Sequence, residues 1–169
     1  IRGMRGMPRR LLLVGHKLAA GSASTGAIST ISTEADAVEK YGEGSVLVQM
    51  WRAAKANADL GLPIDCIALD TGVSAVAATS VMAVSTAGAG PNAPGEVMVY
   101  IGGVRVSIGV STVDTAAVIA QRLAAAINAN TRLPVTASVT TTNVTLTSRT
   151  VGLIGNDIDL RTVHYPDDK

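Results

Sequence analysis

Gly15-His16-Lys17 follows directly on the apolar run Leu11-Leu12-Leu13-Val14, with Gly21 and Gly26 downstream. A glycine-bearing turn that ends a strand and carries a lysine has the ingredients of a phosphate site, where consecutive amides and an ammonium converge on the anion as a helix begins. The spacing does not meet that need. Lys17 is followed by Leu18, and no helix-opening signal comes before Thr33, so the run reads as a plain strand-to-loop turn. Cys66 and His16 are the residue types of a thiolate–imidazole pair, yet a lone cysteine within Ile64 to Leu69 reads more simply as a small buried hydrophobe. Asp157 and Asp159 would point to one side of an extended segment, a minimal carboxylate metal pair. Gly155-Asn156-Asp157 reads more simply as a turn, with Ile158 and Leu160 anchored to the core. Asn143-Val144-Thr145 has the form of a glycosylation sequon; with no secretory signal it reads as a hairpin turn followed by β-formers.

The remaining candidates are of a different kind. In EVMVYIGGVRVSIGV, Gly102-Gly103 suits a two-residue type I′ turn, which sets Ile101 opposite Val104, Val99 opposite Val106 and Val97 opposite Ile108. That face is wholly β-branched and apolar. The other carries Met98, Tyr100, Arg105 and Ser107, and Tyr100, Arg105 and Met98 are therefore candidates for a protein contact, since Tyr and Arg are enriched at interface cores. A solvated cross-strand pair is the alternative. Met50 and Trp51, at helical spacing, read as core.

These residues must be held by elements that the pattern also reveals. Leu11 to Val14 reads as a strand buried on both faces. A Gly/Ser/Thr-rich loop, Gly21 to Ser32, leads to Thr33 and Asp36, which resemble a capping box opening a short helix that stops at Gly42. A second helix begins at Ser45 and carries Val46, Leu47, Met50, Trp51, Ala54 and Ala58 at helical spacing before Gly61 and Pro63. Ile64 to Leu69 is the next strand, giving a strand-helix-helix-strand α/β unit over residues 1–72. The composition changes near 71–75, where small residues and Thr take over. One strand is expected within Ala75 to Thr86, then a Gly/Pro-rich linker Ala87 to Gly95, then the first hairpin. Ser111 and Asp114 resemble a second capping box, with Val113, Ala116, Ala117, Ala120, Leu123, Ala124 and Ile127 forming one stripe laid on the hairpin's apolar face. Val135, Ala137 and Val139 answer Val144, Leu146 and Ser148 across the loop Thr140 to Asn143. The expected class is α+β: the α/β unit followed by a compact ββαββ module within residues 73–160, one helix on one face of a small sheet, and a tail over 161–169.

Composition narrows the function. The chain has 169 residues, 47% hydrophobic and only 16% charged, which excludes a disordered tail and implies that much of its surface is meant to be covered. Aromatic residues are 2%, with no Phe, which argues against a stacking platform for single strands; a net charge of +1 argues against a duplex footprint. One cysteine cannot form an internal disulfide, so a reducing compartment fits best. Leu11 to Val14 is too short for a signal peptide's apolar region or a membrane span, and the chain reads as cytosolic and soluble.

The runs PRRLLLVGHKLAAGSA, ISTEADAVEKYGEGSVLVQMWRAAKANA, YIGGVRVSIGVSTVDTAAVIAQRLAAAINANTRLPVTASV and GLIGNDIDL resemble the tail sheath protein of Mu-like contractile-tailed bacteriophages. GGVRVSI, AAAINAN, LPVTA and IGNDIDL, in that order and spacing, are the most specific. The resemblance covers nearly the whole chain and the N-terminal and middle part of the family's longer subunits. It implies a structural subunit of the virion, assembled in the host cytoplasm, forming stacked hexameric rings with other sheath subunits around an inner tail tube that contraction drives through the host envelope. It implies no enzymatic step, no cofactor, and no nucleic-acid, membrane or small-molecule partner. The residues by themselves leave two rivals: a nucleotide-binding enzyme on the α/β unit, and an adhesion or carbohydrate-binding module on the hairpins.

Overall fold

The structure, a computed structural model, describes residues 9–57, 62–72, 74–86 and 90–162. The chain divides into two units, residues 1–71 and 72–169.

The first unit runs β1 (Leu11–His16), β2 (Ile28–Ile31), α1 (Glu34–Tyr41), α2 (Val46–Asn57) and β3 (Ile64–Leu69). Its sheet has the order β1-β3-β2, with β1 parallel and β2 antiparallel to β3. Thr33 caps α1, its hydroxyl accepting the Asp36 amide at 3.2 Å, and Gly42 ends the helix at a φ of +85° that favours glycine. Buried Ser45 does the same for α2 through the Val48 amide at 3.2 Å. Leu13, Ile31, Ile64, Cys66 and Ala68 meet Ala37, Tyr41, Leu47, Val48 and Trp51 in one core, and the Trp51 indole donates to the Ile31 carbonyl at 3.5 Å. Two expectations change here. The loop Gly21 to Ser32 contains β2, which short polar residues had hidden. And β1 is covered on one face only: Leu13 and Gly15 face α2 while Leu12 and Val14 are exposed, because both helices lie on the same side of the sheet.

The second unit runs β4 (Ala77–Ala83), β5 (Gly95–Ile101), β6 (Val104–Val110), α3 (Ala116–Ala129), β7 (Val135–Thr140), β8 (Asn143–Val151), a 3-10 turn at Leu153–Asp157 and β9 (Leu160–Thr162). Both hairpin registers are as the patterns require: Ile101 faces Val104, Val99 faces Val106 and Val97 faces Ile108, while Val135, Ala137 and Val139 face Ser148, Leu146 and Val144. Gly102 and Gly103 have φ of +55° and +79°, the pair of positive values that a type I′ turn needs. The unit is α+β with ββαββ at its centre, but the hairpins do not share a sheet. One sheet is β4-β8-β7 and the other β6-β5-β9, so each hairpin gains a third strand. The α3 residues Ala120, Leu123, Ala124 and Ile127 join Val99, Ile101 and Val106 of one sheet to Val135, Val144 and Leu146 of the other in one core. Alanine on the helix allows close approach, so a dense interior forms without Phe. The α3 cap is Thr115, not Ser111: its hydroxyl accepts the Val118 amide, Val113 lies outside the helix and exposed, and Ile119 joins the buried stripe. Asp114 instead closes a turn, accepting the Ser111 amide at 2.8 Å and the Arg122 guanidinium at 2.7 Å.

Candidate assembly surface

Alternation along β5 turns Val99 and Ile101 inward and leaves Met98 and Tyr100 on the outer face. The antiparallel register then puts Tyr100 directly across from Arg105 on β6 and, on its other side, from Arg161 on β9. The ring thus stands in a row between two guanidinium side chains. Each arginine is held from its own end: Arg105 Nη2 lies 2.8 Å from Glu96 Oε2, and Arg161 Nε lies 2.8 Å from an oxygen of Asp159. The Ser107 hydroxyl, with the Arg105 charge adding, holds the Glu96 carboxyl below the usual carboxylate range. The face therefore carries a half-buried tyrosine and methionine beside two exposed arginine–carboxylate pairs. Met98, Tyr100 and Arg105 lie together as the hairpin register requires. Arg161 escaped the sequence reading, because β9 is three residues long and its signal is only the alternation of Ile158, Leu160 and Thr162 with Asp159 and Arg161.

The residues with chemical types resolve differently. Lys17 donates its ammonium to the Gly21 carbonyl at 3.0 Å, closing the loop on itself. Gly15 is small because a Cβ there would meet Met50 Sδ at 3.1 Å, a helix-packing need. His16 and Cys66 stand on opposite faces of the sheet, since Cys66 pairs with Leu13 toward the helices and His16 continues the row of Leu12 and Val14. Burial pushes the Cys66 thiol up, away from thiolate chemistry, and pushes the neighbouring Tyr41 hydroxyl up to about 12. Asp159 is paired with Arg161, and Asp157 ends the 3-10 turn. Among the described residues no group of three or more His, Cys, Asp or Glu is placed to hold a metal ion, and no helix is long and apolar enough to cross a membrane. One polar cluster was not anticipated. Asp65 accepts the Thr30 hydroxyl at 2.6 Å and Arg10 Nη1 at 3.0 and 3.3 Å, and these partners, Thr30 first, hold its carboxyl low.

The chain is a two-unit α+β protein whose outer β6-β5-β9 face carries Tyr100 in register between Arg105 and Arg161. It belongs to the tail sheath proteins of Mu-like phages. The relation is to the Mu-like prophage FluMu tail sheath protein of Haemophilus influenzae, with 37% identity over 158 residues, covering 92% of this chain and 31% of that relative. The chain thus spans under a third of the relative's length. No family model matches the chain.

Proposed function

We propose that this chain is part of a structural subunit of a contractile tail sheath, acting in the virion after assembly in the host cytoplasm. The 37% identity across 92% of the chain to a named tail sheath protein carries this reading. Its partners are other sheath subunits, in stacked rings, and the inner tube that contraction drives into the host envelope. The two units serve as separate small bodies that stay folded while ring geometry changes. The face of Met98, Tyr100 and Arg105, with Arg161, serves as a subunit contact, and no catalytic step or cofactor enters.

The test replaces the matched segment of the Haemophilus influenzae relative by this chain and examines the product by electron microscopy. Tubes or rings are expected, and fewer of them with Tyr100→Ser and Arg105→Ala. Only dispersed subunits, under conditions where the unaltered relative forms tubes, would remove the reading.

A further inference from the structure

The first unit has one finished face and one bare one. On the bare face the register sets Val14 beside Ile67, and Ile67 beside Ile28, in one row; the next row holds His16 and Leu69, and the row before it Leu12, Asp65 and Thr30. Leu12 is 52% exposed, Val14 44%, Ile28 67% and Leu69 39%. A sheet containing a parallel pair is normally covered on both faces, and contiguous apolar side chains left in water mark a surface that something occupies.

We propose that this face seats an apolar layer supplied by a part of the same sheath subunit that lies outside these 169 residues. The relative supplies the material, since most of its length lies outside the match. The polar end of the face fits an apolar occupant: the Asp65 carboxylate is already met by Thr30 and Arg10, so covering it strands no unpaired charge. A layer from the same subunit, rather than from a neighbour, closes the face before assembly, when exposed aliphatic strands would favour aggregation. The proposal goes beyond ring assembly and rests only on family membership, so the two readings fail separately.

The test is thiol labelling of Ile28→Cys and, on the opposite edge strand, Val14→Cys, with buried Cys66 as the slow internal reference. In the 169-residue chain both new thiols are expected to react as freely as an exposed cysteine. In monomers of the chimera with the Haemophilus influenzae relative, isolated by size, they are expected to react at least tenfold more slowly. If the chimera does not fold, cysteines at the aligned positions of the relative give the same reading. Equal rates in both chains overturn the proposal. So does protection that appears in the 169-residue chain as its concentration rises and it dimerises, which would make the occupant a second copy.

Discussion

Val99 stands directly across from Val106, and both are closed from water, while Tyr100 and Arg105, one step along each strand, face the other way. Adjacent positions therefore carry opposite consequences. Val99→Asp buries an unpaired carboxylate beneath α3 at a cost of several kcal/mol, comparable to a small domain's whole stability of about 5 to 15 kcal/mol, and the second unit is expected to unfold. Tyr100 is half-buried on the outer face between two cross-strand partners, and Tyr100→Ser is expected to cost about 1 kcal/mol, far less than Val99→Asp. Denaturant melts of the two variants check the register; the reverse order of damage would mean that α3 lies on the other face.

The second unit is expected to fold by itself. Its core is completed by α3 and the two sheets, and β9 adds a strand to β5 beyond the hairpins. A fragment of residues 72–162 should give a dispersed amide spectrum, whereas stopping at 157 removes β9 and should lower the melting temperature by roughly 4–8 °C for each kcal/mol lost. A dispersed spectrum from residues 1–71 alone, with none from 72–162, would contradict this.

Gly21 is a steric requirement. A Cβ there would come within 2.5 Å of the Lys40 carbonyl oxygen and 2.7 Å of Tyr41 backbone atoms, where α1 ends. Gly21→Ala is expected to destabilise the first unit by about 1–3 kcal/mol, as overpacking does. Gly26→Ala, which meets nothing within 4 Å, bears only the strain of its φ of +76° and should cost less. Thermal melts rank the pair.

Asp114 makes the second unit sensitive to acid. The Ser111 amide, aided by Arg122, holds its carboxyl below the ordinary value. A depressed folded value means that the stabilisation is fully present above the unfolded value, about 3.9, and is lost as pH falls from there through the folded value. The melting difference between the native chain and Asp114→Asn should be largest near neutrality and shrink below about pH 4. A difference constant down to strongly acid pH would show that the charge is not its source.

What could be read from the residues alone divides along physical lines. Both hairpin registers were legible, because period-two alternation of β-branched residues around a fixed turn leaves one solution. Thr33 and Gly42 were legible as helix ends for the same local reason. Strand β2 was not, because Ile28-Ser29-Thr30-Ile31 is short and its pairing with β3 is made across both helices in sequence. The bare face of β1 was hidden too: an unbroken apolar run is consistent with two covered faces, and nothing local says that α1 and α2 lie on one side. At α3 the Ser111–Asp114 spacing satisfied a helix start and a turn equally, and Thr115, nearer the first buried residue, took the cap. The outer-face trio followed from alternation, whereas Arg161 depended on a strand too brief to announce itself.

The crossed membership of the outer strands gives the second unit a mechanical character. β4 enters the unit ahead of the first hairpin yet is bonded to β8 of the second, and β9 leaves after the second hairpin yet is bonded to β5 of the first. Tension applied between the two ends of the unit is therefore carried first into the hairpin more remote in sequence. By this topology the unit is expected to resist extension from its ends until β4 or β9 parts from its partner strand.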